Sequence, residues 1–129
     1  MRRFFVWVVM ALFVLPVSVS AAPLEISAKN NETVPLGAVY WISNCRSILK
    51  SFAGVDKLEG PPEVKLSLKE GMVHAVRQNC SAPIKGATLM LTASGVTKPV
   101  TATLVVRVRY NTRDGERQST HTFALSLFP

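Results

Sequence analysis

The chain has 129 residues, with 15 Lys and Arg against 8 Asp and Glu, and 48% of its side chains are apolar. That length suits one domain with one core. Its mature part holds no internal repeat, low-complexity tract or long linker.

The first predicted element is an export signal. Arg2 and Arg3 form a positive start, Phe4 to Leu15 is an unbroken apolar run, and Pro16 ends it. Small residues follow at Ser18, Ser20, Ala21 and Ala22. Signal peptidase reads that order of charge, apolar core and small-residue site. The expected cut lies after Ala21, because a cut after Ala22 would put Pro23 against the scissile bond. The apolar run is shorter than the roughly 20 residues that span a bilayer. No cysteine follows the cut to take a lipid, and no second apolar stretch of spanning length appears. Residues 1–21 are thus read as signal peptide and residues 22–129 as one domain, periplasmic or secreted. Loss of Arg2 and Arg3 lowers the net charge from +7 to +5.

The mature part reads as strands separated by Pro and Gly. Leu24 to Ala28 and Ala38 to Ser43 are the first two candidates. In Arg46 to Pro62, the residues Ile48, Leu49, Phe52 and Val55 have helical spacing, which predicts a short helix or turn. Pro61-Pro62 forbids regular ladder pairing there. Glu63 to Lys69 alternates, with Val64, Leu66 and Leu68 inward. Glu70-Gly71 is expected to turn that strand back into Met72 to Gln78. Lys85 to Ala93 points Ala87, Leu89, Leu91 and Ala93 one way.

The clearest element is Val100 to Tyr110. Val100, Ala102, Leu104, Val106, Val108 and Tyr110 face the core, and Thr101, Thr103, Val105, Arg107 and Arg109 face out. Asp114-Gly115 is a preferred two-residue hairpin turn. Centring the turn there pairs Arg113 with Glu116 and sets Val106 opposite Phe123, Leu104 opposite Leu125 and Ala102 opposite Leu127. In that register Thr120 and Thr122 stand opposite Arg109 and Arg107, and His121 faces Val108 on the inner side.

Cys45 and Cys80 are expected to pair, since the compartment is oxidising and no other thiol competes. Closing a loop of about 35 residues stabilises by roughly 4 kcal/mol in the chain-entropy account. Six or seven strands suggest two packed antiparallel sheets. The segment VTATLVVRVRYNTRDGERQSTHTFALSLF resembles the final hairpin of bacterial immunoglobulin-like domains. The resemblance covers about a quarter of the chain and implies an all-β, immunoglobulin-like two-sheet sandwich with one disulfide. The chain departs from the antibody pattern: Trp41 precedes Cys45, Gln78 rather than Tyr sits two before Cys80, and the cysteines are closer together. No functional residue is carried over.

No catalytic, cofactor or metal motif stands out. His74 and His121 have no sequence neighbours suggesting a triad. The thiols and histidines lack zinc spacing. Asp56, Glu59 and Glu63, interleaved with Lys57, read as a solvated loop. Asn31-Glu32-Thr33 and Asn79-Cys80-Ser81 match the short N-glycosylation pattern. The feature singled out is Arg107, Arg109, Arg113 and Arg117, which could form a stripe for an anionic partner. Poor aromatic interleaving argues against single-stranded nucleic acid, and export also speaks against a nucleic-acid partner. The expected function is a non-enzymatic, exported binding or interaction module that contacts an anionic surface or partner. The alternative is an assembly subunit that donates or accepts a strand, as pilins do.

Overall fold

The computed structural model describes residues 23–129; the expected signal peptide lies outside the described residues. Alternation of apolar and polar residues becomes strand along most of the chain. The strands are β1 (Leu24–Lys29), β2 (Thr33–Val39), β3 (Ile42–Ser43), β4 (Arg46–Ser47), β5 (Leu49–Glu59), β6 (Val64–Val73), β7 (Ile84–Ala93), β8 (Val100–Thr112) and β9 (Gly115–Phe128). A 3-10 turn covers Val76–Gln78. One sheet has the order β1-β9-β8-β5 and the other β2-β7-β6, with β3-β4 a small separate hairpin. All pairings are antiparallel except that of β1 with β9.

The core lies between the two larger sheets. Leu104, Val106, Val108 and Tyr110 of β8 meet Phe123, Leu125 and Leu127 of β9 on one inner face, and Leu89, Leu91 and Val64 line the other. Each of these is nearly removed from water. A fully buried aliphatic side chain contributes roughly 1.5–3 kcal/mol, so these rows dominate stability. A smaller cluster of Val73, Ala75 and Ile84, with Tyr40, Ile42 and Cys80 against it, lies near the disulfide.

The β8–β9 hairpin keeps the expected faces but not the expected register. Leu104 pairs with Phe123, Ala102 with Leu125 and Val106 with His121, and the ladder closes at Thr112 and Gly115. The turn is therefore Arg113-Asp114, one residue earlier than expected. Moving a turn centre by one residue shifts every pair by two, which preserves side-chain parity. Gly115 has φ 108, whereas neither Arg113 nor Asp114 has positive φ. A type I′ turn needs positive φ at both central residues, so glycine here follows the turn instead of lying within it. Thr112 fixes this geometry: its Oγ1 donates to Gly115 O at 2.7 Å and accepts from Asp114 N at 3.2 Å.

Three other expectations are corrected. Residues 49–59 are strand, not the short helix or turn expected within Arg46 to Pro62. Register shifts fall between Leu49 and Ser51, Phe52 and Gly54, and Lys57 and Glu59. Each adds a residue, so the inner-face positions Leu49, Phe52 and Val55 come every third residue and mimic helical spacing. Glu70-Gly71 does not turn, because β6 continues to Val73 in unbroken register with β7. Met72 to Gln78 is thus the end of β6 followed by the 3-10 turn. Ala38 to Ser43 is broken at Tyr40-Trp41, which separate β2 from β3. Asn31 and Asn79 occupy left-handed turns with φ 65 and 54, a conformation asparagine tolerates.

Truncating Phe123 to alanine should destabilise the protein by about 3–5 kcal/mol, because the ring is in packed core. Arg109→Ala should cost less than about 1 kcal/mol, because its ion pair with Asp56 is half-exposed. Denaturant midpoints of the two variants check the order, and the reverse order would contradict this packing.

Candidate functional site

The three connections that meet at one end of the sandwich are tied together. Cys45 and Cys80 form a disulfide with Cα atoms 5.5 Å apart. It joins the β3–β4 turn to the segment after the 3-10 turn and lies near the surface, outside the main core. Asn44 and Cys45 both have positive φ. That conformation costs a non-glycine residue about 1–2 kcal/mol, and the bridge helps to hold it. Arg113 N donates to Ile48 O at 2.9 Å, joining the β8–β9 turn to the same segment. Ser47 Oγ donates to Lys85 O at 3.0 Å, Lys85 Nζ to Lys50 O at 3.0 Å, and Tyr40 OH to Gln78 Oε1 at 2.6 Å.

This end gathers positive charge. Arg46, Lys50, Arg77, Lys85, Arg113 and Arg117 lie on its turns or the strand ends entering them, and all are exposed. Among the described residues, Asp114 and Glu116 are the acidic groups on those turns and strand ends. At the opposite end, Lys29, Lys57 and Lys98 are matched by Glu32, Glu59 and Glu63. The excess charge of the domain is thus concentrated beside the disulfide.

The four arginines of the expected stripe are divided. Arg107 and Arg109 share the outer face of β8, opposite Thr120 and Gln118, so Thr122 faces Val105 instead. Arg109 Nε donates to Asp56 Oδ2 at 2.9 Å. It reaches Asp56 across Gly54, where an added Cβ would come within 2.5 Å of the guanidinium. Asp56 pairs with Arg107 in the ladder and Glu59 with Val105, so carboxylates share this face. They belong to β5, not to a solvated loop. Arg113 is at the hairpin tip, its Nε 3.5 Å from Asp114 Oδ1. Arg117 pairs with Tyr110 and so has inner-face parity, beside Trp41 at the sandwich end. Arg113 and Arg117 therefore belong to the cationic end, and Arg107 and Arg109 to a mixed-charge sheet face.

A cleft of about 400 Å³ opens between β9 and β2 next to this end. Leu36, Val39, Leu89 and Phe123 supply apolar lining, and His74, Arg77 and His121 supply basic groups. A polar chain enters it from the core. Tyr110 OH and Ser119 Oγ are 2.6 Å apart, and Ser119 Oγ and His121 Nε2 are 2.8 Å apart. Burial raises the Tyr110 pKa above its usual 10.0, partly offset by the Ser119 bond. Burial lowers the His121 pKa below 6.5, and the charge of Arg77 lowers it further. Among the described residues no carboxylate bonds His121, so Ser119 and His121 lack the orienting third member of a triad. No group of three or more His, Cys, Asp or Glu among them could hold a metal ion, and no helix among them is long and apolar enough to cross a membrane. The cleft was not legible in the sequence, because its walls come from β2, the 3-10 turn and β9. The alternation of Tyr110, Ser119 and His121 onto the inner face was the available signal.

Comparison with family models, curated proteins and solved structures finds no match.

The His121 environment predicts a pH effect with a defined sign. Its pKa is lower folded than unfolded, so the unfolded chain takes up the proton first as pH falls. The stability associated with neutral His121 is complete above about pH 6.5 and is lost as pH falls through the folded value. His121→Gln should flatten the slope of stability against pH in that window. Equal slopes in both proteins would contradict the buried placement.

Proposed function

We propose that this chain is an exported, immunoglobulin-like binding module that meets an anionic partner with its disulfide-clamped end. The concentration of Arg46, Lys50, Arg77, Lys85, Arg113 and Arg117 at that end carries the reading. Clustered charge of one sign raises the local concentration of opposite charge and steers encounter. The clamp favours the same reading, since groups on tied turns lose less freedom on binding.

The immunoglobulin-like assignment rests on strand order. Take the seven longer strands β1, β2, β5, β6, β7, β8 and β9 as A to G. The sheets then read A-G-F-C and B-E-D. This is the immunoglobulin arrangement with the first strand moved beside the last. The disulfide departs from that pattern: it joins the B–C connection to the D–E connection instead of joining the two sheets. Export is supported by the signal-like start and by the bridge, which persists in oxidising compartments.

Binding to vesicles containing anionic lipid, and separately to polyglutamate, tests the charge reading. At least one should bind, and the interaction should weaken between about 0.05 and 0.5 M salt as screening shortens. Joint replacement of Arg77, Arg113 and Arg117 by Gln should weaken it strongly. Joint replacement of Arg107 and Arg109 by Gln should change it little. A larger loss from the second variant would return the site to the outer sheet face. Failure to bind either probe would refute the reading as stated.

A further inference from the structure

The sheet edges of this protein are not equally guarded. β5 carries three register shifts along its length. β2 carries Pro35 and a shift beside it. β6 presents Lys65, Lys69 and Glu70, and β1 presents Glu25 and Lys29. Bulges, proline and charge are the usual means of stopping another strand from adding to an edge. β9 differs. It pairs with β8 from Gly115 to Leu127, whereas β1 covers it only from Phe123 onward. From Gly115 to Thr122 its second side has no strand neighbour among the described residues. Its charged residues, Glu116 and Arg117, lie next to the turn; from Gln118 to Thr122 this edge carries Gln, Ser, Thr, His and Thr, with no charged residue, proline or register shift.

The open edge borders the cleft. Leu24 and Val76, which are 59% and 74% exposed, stand among its lining residues. Ser119 and His121 present polar atoms to it. Arg77 places a positive charge on its lining and no carboxylate does so, which complements acidic side chains. If the signal is cut after Ala21, only Ala22 and Pro23 precede β1, too few residues to cover eight positions of β9.

We propose that β9 accepts an extended acidic and apolar segment of another protein as an added strand along Gly115 to Thr122. Backbone hydrogen bonds to the free edge would hold it. Alternate side chains of the segment would enter the cleft, as in other strand-addition complexes. The preference for acidic side chains rests on the anionic-partner reading; the backbone pairing does not.

The probes are a peptide of about eight residues alternating valine and glutamate, which spans roughly 27 Å when extended, its backbone N-methylated form, and a valine–lysine counterpart. Amide hydrogen exchange of the mature, oxidised protein is measured with and without each. The valine–glutamate peptide should slow exchange between Gly115 and Thr122, and N-methylation should weaken binding at least about tenfold. No protection there, or binding indifferent to N-methylation, would overturn the strand-addition proposal. Equal binding of the valine–lysine peptide would overturn the acidic preference, while the N-methylated arm still decides the pairing. Self-association without peptide that protects the same edge would show a second copy as occupant and overturn the partner proposed.

Discussion

The inner row of β8 is the constraint on which the rest of the structure depends. Leu104, Val106, Val108 and Tyr110 are almost without exposed surface and belong to the larger of the two hydrophobic clusters among the described residues. β8 is flanked on both sides, by β9 and β5. Its parity therefore dictates which residues of both neighbours point inward. A two-residue shift of the β8–β9 ladder keeps side-chain parity, whereas a one-residue slip against β8 would turn Thr120 and Thr122 of β9 toward the core. The bulges of β5 are the other side of this constraint. They bring Leu49, Phe52 and Val55 successively onto the inner face opposite Thr112, Tyr110 and Val108.

Tyr110 connects that core to the clamped end. Its ring packs near Trp41 and Phe52, with centroids 5.3 and 5.6 Å away. Its hydroxyl leaves the core through Ser119 and His121 into the cleft. The sandwich thus has a dry centre and a polar, cationic end. The disulfide belongs to the latter, because it packs against the smaller cluster around Val73, Ala75 and Ile84. This divides the labour: apolar burial specifies the sheets, while the covalent bridge and a few backbone hydrogen bonds specify the turns that carry charge.

Much of the fold was legible because a strand half-buried on one face announces itself by alternation. β7, β8 and β9 were read with correct faces, and the pairing of Cys45 with Cys80 followed from their being the only two thiols. The misreadings have separate physical origins. A bulge alters spacing without altering composition, so β5 looked helical. Glycine does not by itself turn a chain, and Gly71 lies within a continuous ladder. The Asp114-Gly115 signal identified the hairpin but not the turn residues, because Thr112 stabilises an alternative with glycine one position later. The arginine cluster was visible as composition, but its division between a sheet face and the clamped end depends on register and on what β5 places opposite. The cleft and the free edge of β9 arise from segments distant in sequence, and local patterns do not report such meetings.

The division between core and clamp has a direct measurement. Amide hydrogen exchange of the oxidised protein should be compared with that of a Cys45→Ser, Cys80→Ser variant, under conditions where both are folded. Removing the bridge should speed exchange chiefly at residues 40–48 and 74–83. The amides pairing β8 with β9 should slow and quicken only with global stability, which the bridge changes by at most about 4 kcal/mol. Selective loss at those two segments is the result this account predicts. A uniform loss through β7, β8 and β9 with no excess at the clamped turns would contradict it.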